Sequence, residues 1–117
     1  MEYDKIKRID RHTAQQILEH GNTEEKIAAL LGLVLNDPDP VWLQELCIDI
    51  IVTTADLWLQ RNAITCLGHI ARIHGQIDEK VVRPLLLSLK KDSELAGFVE
   101  DTLGDLDVFL PKKSGNQ

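Results

Sequence analysis

The sequence predicts an all-α protein, a short α-solenoid of about three helix pairs, and three observations carry that reading. A Leu-Gly pair recurs at a spacing of 36 residues, as Leu31-Gly32, Leu67-Gly68 and Leu103-Gly104. Apolar residues keep the same register around it. Ile27, Ala63 and Val99 lie four positions before each Leu, and Val34, Ile70 and Leu106 three after, which places i, i+4, i+7 faces on three helices. Thr23, Leu59 and Leu95 extend the series less perfectly. Aromatic residues make up only 4% of a chain that is 44% hydrophobic, so burial falls to Leu, Ile, Val and Ala, a supply that suits stacked helices better than a β-sandwich. A glycine in mid-helix costs about 1 kcal/mol against alanine, and its recurrence predicts close backbone approach between neighbouring helices.

Each element can be justified in chain order. Residues 5–20 hold one or two short helices, with Ile6, Ile9, Ala14, Ile17 and Leu18 as the apolar set, an atypical end repeat of the kind that caps a stack. Asn22 and Glu25 have capping-box spacing ahead of a helix that runs to about Asn36. Asp37-Pro38-Asp39-Pro40 then breaks the chain, with Asp39 as N-cap and Pro40 as first helical residue. Trp42, Leu43, Leu46, Cys47, Ile50 and Ile51 stripe the next helix, which Thr53-Thr54 ends. Asp56 caps a longer helix from Leu57 to about His74, stopped by Gly75. Asp78 caps another, facing Val82, Leu85, Leu86 and Leu89 inward, and Pro84 is expected to bend it or shift its start. Asp92 or Ser93 opens the last helix, which ends near Phe109. One domain over 1–110 results, with repeats of about 1–36, 37–72 and 73–110, followed by a loose tail over 111–117.

Composition narrows the function. The chain has 117 residues, with 19 Asp and Glu against 13 Lys and Arg and a net charge of −6. That balance disfavours nucleic acid and anionic membranes, which reward basic clusters, and leaves a basic protein partner open. The start, Met1-Glu2-Tyr3-Asp4, lacks the basic and apolar regions of a signal peptide, and no apolar run is long enough to span a bilayer, so a cytoplasmic location is expected. Cys47 and Cys66 sit inside apolar runs and read as buried thiols. Cys66, His69 and His74 are close in sequence, but helical spacing gives at most two ligands on one face, so no metal site is expected. No phosphate loop or nucleophile elbow appears, so neither catalysis nor a cofactor is expected.

The stretch Asp56-Leu57-Trp58-Leu59-Gln60-Arg61-Asn62-Ala63 resembles the start of a second helix in HEAT repeats, with Asp at the turn, Arg five positions later and a small residue two further on. Asp92 repeats the turn Asp, but Gly97 stands where Arg61 stands. Pro84 ahead of Leu85-Leu86-Leu87 is similar to the proline of first HEAT helices, while the middle copy has Ile48 there. The resemblance implies three HEAT-like helix pairs. A narrower one rests on Trp42 with Gln44 and Cys47, and on the run from Cys66 to His74. These are similar to small HEAT-like proteins encoded beside bacterial polymorphic toxins, including contact-dependent growth inhibition systems. That family implies an immunity protein, monomeric apart from its complex, which binds a cognate toxin C-terminal domain, often a basic nuclease, and blocks it. A general HEAT-like scaffold without a toxin partner and a HEAT-repeat lyase are the rival readings.

The acids are unevenly placed. Residues 37–60 hold five acids and no Lys or Arg, and residues 92–109 hold six, again without a base. Asp101 and Asp105 lie one turn apart, a like-charge pair that costs a few tenths of a kcal/mol unless something offsets it. Second helices line the concave side of α-solenoids, so the polar face of the period-bearing helices is the expected docking strip. On the middle helix Arg61, Thr65, His69 and Arg72 share that face, and their register equivalents are Gly97, Asp101, Asp105 and Val108. The candidate partner-binding residues are therefore Asp101, Asp105, Glu100, Glu94, His69 and Arg61, joined by Trp58 and Trp42 because Trp is enriched in interface hot spots. The same residues also allow plain structural roles: ion pairs within the strip, His69 bonded to Asp105, and tryptophans packed between repeats.

Overall fold

The computed structural model describes residues 8–111, and among these it is entirely helix and connection. Six helices follow in order: α1 (Arg11–His20), α2 (Thr23–Asn36), α3 (Pro40–Thr53), α4 (Leu57–His74), α5 (Glu79–Leu89) and α6 (Ala96–Phe109). Ile6 and the expected tail over 112–117 lie outside the described residues.

Local chemistry sets most of the boundaries. The capping box at α2 is complete: Asn22 Oδ1 accepts from the Glu25 backbone N–H at 2.9 Å, and Glu25 Oε1 accepts from that of Asn22 at 2.8 Å. Asp39, Asp56 and Asp78 cap α3, α4 and α5 by accepting the first free N–H groups of each helix. Asp10 does the same for α1 through Thr13 N–H at 2.8 Å. Gly75 ends α4 at φ 62°, ψ 27°, a left-handed conformation that glycine adopts without a Cβ penalty. Pro84 does not shift the start of α5, which follows Asp78 directly. It occupies the sixth helical position, where its missing N–H deletes one backbone bond of the helix.

The last helix differs from the sequence expectation. Asp92 does not cap α6. Its carboxylate accepts from Glu94 N–H at 2.9 Å and its carbonyl from Leu95 and Ala96 N–H at 2.9 Å each, so residues 92–95 form a turn and α6 begins at Ala96 with no side-chain cap.

The helices pack as three pairs, α1 on α2, α3 on α4 and α5 on α6, and the even-numbered helices form a row with α4 in the middle. This row carries the core. Ala63, Ile64, Leu67, Ile70 and Ala71 of α4 are fully buried, as are Val34 of α2 and Val99 and Leu106 of α6. Each buried Leu, Ile or Val contributes about 1.5–3 kcal/mol relative to an exposed one. Of the positions the 36-residue period marks, Val34, Ala63, Leu67, Ile70, Val99 and Leu106 are buried, while Ile27, Leu31 and Leu103 are half-buried against the core. Thr102, the one buried polar or charged residue among the described residues, donates its hydroxyl to the Ile64 carbonyl at 3.1 Å and ties α6 to α4. Cys47 of α3 and Cys66 of α4 are buried free thiols; a hydrogen bond to Cys66 and burial push the Cys47 pKa up.

The recurring glycines have different reasons. A Cβ on Gly68 would stand 2.5 Å from Asp105 Oδ2 and 3.3 Å from that side chain's Cβ and Cγ, so α6 needs the glycine to seat its carboxylate on α4. The close neighbour is therefore a side chain rather than a backbone. A Cβ on Gly104 would meet nothing. Gly104→Ala should raise stability by up to about 1 kcal/mol through helix propensity, whereas Gly68→Ala should lower it by about 1–3 kcal/mol through overpacking. Urea melts of the two variants would check the opposite signs.

Candidate protein-binding site

The α4 and α6 helices run side by side in the same direction: Arg61 reaches Glu94, Ile64 meets Thr102 and Gly68 meets Asp105. The α4 and α6 members of the expected strip are thus side by side at these levels. From the α4 N-terminus the face passes Trp58, Arg61 with Glu94, and His69 beside Asp105.

Arg61 is spent largely within the protein. Its Nε donates to the Glu94 carbonyl at 2.9 Å, Nη2 lies 3.5 Å from Glu94 Oε1, and the guanidinium sits 5.1 Å from the ring centres of both Trp58 and Phe98. Only 16% of its side chain is exposed. It thereby holds the uncapped turn ahead of α6 against α4, and cation–π contact orients the rings. Trp58 remains 61% exposed, a large apolar surface held in place by its neighbour. Trp42 is placed otherwise. It is half-buried under the Arg11 guanidinium, 3.9 Å from the ring centre, and Arg11 makes a two-pronged pair with Asp37 at 2.8 and 2.9 Å. That pair holds the Asp37 carboxyl below the usual carboxylate range.

Three of the acids in 92–109 have cationic partners: Glu94 has Arg61, Glu100 has Lys90 at 3.6 Å, and Asp107 has Arg83 at 2.8 Å. Asp101 is exposed and carries no hydrogen bond or ion pair among the described residues. Asp105 is half-buried over Gly68 and acts electrostatically on His69. Arg72 Nη2 lies 3.3 Å from His69 Nδ1, a distance at which the guanidinium donates when that nitrogen is unprotonated. Burial and the Arg72 charge lower the His69 pKa, against the opposing pull of Asp105. At neutral pH α6 thus offers the exposed Asp101 and the half-buried Asp105, neither with a cationic partner among the described residues, while Trp58 and Val108 are exposed on α4 and α6.

A second feature escaped the sequence reading. A groove of about 620 Å³ runs along α3, lined by Gln15, Trp42, Glu45, Asp49, Val52 and Val81 among others. The two acids belong to the base-free run 37–60, but only the placement of α1 and α5 makes a groove beside them. Among the described residues no three His, Cys, Asp or Glu side chains gather as a metal site, and no helix is long and apolar enough to cross a membrane.

One chain from the crystal structure of a CDI complex of Cupriavidus taiwanensis LMG 19424 is similar to this chain at 30% identity, over 93% of this chain and 97% of that one, with a TM-score of 0.81. No family model and no curated protein matches.

The signs of two titrations follow. His69 favours its neutral form when folded, so between its folded pKa and the ordinary 6.5 the unfolded chain binds more protons and stability falls as pH is lowered. An NMR titration should place His69 below 6.5, and wild type should lose stability relative to His69→Gln on going from pH 7 to 5. Asp37 behaves as a depressed carboxylate. Its contribution is complete above the unfolded value of about 4 and is lost as pH falls through the folded one, so Asp37→Asn should be destabilising at pH 7 and progressively less so in acid. Thermal melts across pH 2–7, compared by variant, read both effects.

Proposed function

The chain belongs to the family of immunity proteins of contact-dependent growth inhibition (CDI) systems, and from that premise we propose that it neutralises one cognate toxin C-terminal domain by stoichiometric binding in the cytoplasm. The likeness to a chain of the Cupriavidus CDI complex, over nearly the full length of both proteins, carries this reading. The toxin is a basic nuclease. Enzymes of that kind grip nucleic acid through cationic clefts, and a carboxylate-bearing surface competes for the same charge. Asp101 and Asp105 face the toxin, Trp58 supplies the apolar anchor, and Arg61, Glu94, Glu100 and His69 frame them, while Trp42 lies apart from this strip, under Arg11 on α3.

Charge also suits the kinetic task. A toxin arriving from outside must be captured before it turns over, and opposed charge raises the association rate. Specificity comes from shape and from charge mismatch with other toxins.

Co-expression with the toxin domain encoded beside this gene should restore growth and yield a 1:1 complex on pull-down. Absence of both would sink the proposal. Asp101→Lys with Asp105→Lys should slow association about tenfold or more while helicity is retained, and the wild-type association rate should fall as salt is raised. Unchanged kinetics in the double variant would move the contact off the α4–α6 strip.

A further inference from the structure

The α3 groove has no evident role in holding the fold. Helix α3 packs closely on α4, while α1 and α5 stand on either side and leave its outer face open. Apolar side chains there face water: Val52 is 61% exposed and Val81 47%. Between them Glu45 and Asp49 lie one turn apart, both exposed, and neither carboxylate has a hydrogen bond or ion pair among the described residues. This contrasts with Asp37, Asp39 and Asp56, the other acids of the same run, which cap helices or hold Arg11.

An open groove that alternates valines with unpaired carboxylates selects its occupant by charge. Nucleic acid and anionic lipid are repelled, and a second copy of this chain, itself at −6, is disfavoured. A cationic, amphipathic protein segment satisfies both components, placing apolar side chains against Val52 and Val81 and Lys or Arg beside Glu45 and Asp49. The groove is also connected to the α4–α6 strip. Only residues 54–56 separate α3 from α4, so Val52 at the end of the groove and Trp58 at the start of the strip flank one short turn.

The geometry points to a second toxin contact: the α3 groove receives a cationic amphipathic segment of the same toxin domain, which grips the α3–α4 corner from both sides. This rests on the immunity reading and adds to it a surface that the α4–α6 strip does not include.

The test uses the full chain and a catalytically inactive toxin domain from the neighbouring gene. Affinity is measured for wild type, Glu45→Lys with Asp49→Lys, Val52→Ser, and Asp101→Lys with Asp105→Lys. Amide hydrogen exchange is followed on the free and bound wild type. All substituted positions are exposed or half-buried, and circular dichroism checks that the helices persist. The groove double variant should bind about tenfold or more weakly, Val52→Ser should weaken binding about threefold, and residues 41–52 should gain protection in the complex.

Groove variants that bind within about twofold of wild type, with no protection over 41–52, would overturn the groove contact while leaving the immunity reading standing. Failure of the wild type itself to bind or protect would remove both. Concentration-dependent dimerisation of the free chain with protection over 41–52 would also overturn the proposal, by giving the groove to a second copy.

Discussion

Helix α4 must satisfy three neighbours at once, and the rest of the structure depends on how its sequence manages this. It packs against α2, α3 and α6, so apolar residues have to cover most of its circumference. Eight of its residues are buried, and two of them, Ala63 and Ala71, are small enough to let a neighbour come close. Gly68 is the extreme case, because Asp105 of α6 occupies the space a side chain would need. What remains exposed on α4 is a narrow face from Trp58 to Arg72 and Ile73. Most of the candidate binding strip on α4 lies on that face, which packing leaves over. Core and surface are therefore set by the same constraint, and substitutions on that face can change a partner without disturbing the core.

Features that depend on neighbours in sequence were legible from sequence alone. The caps at Asn22, Asp39, Asp56 and Asp78 and the stop at Gly75 all follow from local backbone chemistry, and each falls where the residue types require. The 36-residue period likewise located the buried face of α4 and part of that of α6, but on α2 it fell mostly on half-buried positions, Ile27 and Leu31, beside the fully buried Leu30 and Leu33. The start of α6 was misread because Asp92 has the right residue type but caps only a turn. What holds that turn is Arg61, 33 residues earlier, and no local signal encodes such a reach. Gly104 was legible as part of the period, but the period could not say that only Gly68 among the two is pressed by a neighbour. The α3 groove was invisible for a related reason. It comes from a gap between elements distant in sequence, and a gap leaves no residue pattern of its own.

Charge shows the same division between local and distant information. Along the sequence, 92–109 is a run of six acids with no base, which suggests a uniformly acidic face. In three dimensions Arg61, Lys90 and Arg83, all from the preceding stretch, pair with Glu94, Glu100 and Asp107. Exposed pairs of this kind add little stability, but they remove charge from what a partner experiences. Among the carboxylates that remain without a cationic partner are Asp101 and Asp105 on one side of the α3–α4 corner and Glu45 and Asp49 on the other. An acidic count is thus a poor guide to a binding surface until internal pairing has been subtracted.

The subtraction also explains why His69 matters to the surface without adding charge to it. Were it protonated at neutral pH, it would pair with Asp105 and consume half of the free carboxylate on the α4–α6 strip. Burial and Arg72 keep it neutral, so Asp105 retains its charge for whatever docks there. The cost is borne by stability in mild acid, where the unfolded imidazole takes up a proton that the folded one refuses. A partner's Lys or Arg placed beside Asp105 would disfavour the imidazolium further, by the same repulsion that Arg72 exerts. A basic partner and a neutral His69 therefore reinforce one another, and the strip is best matched to cations at the pH where the imidazole is already uncharged.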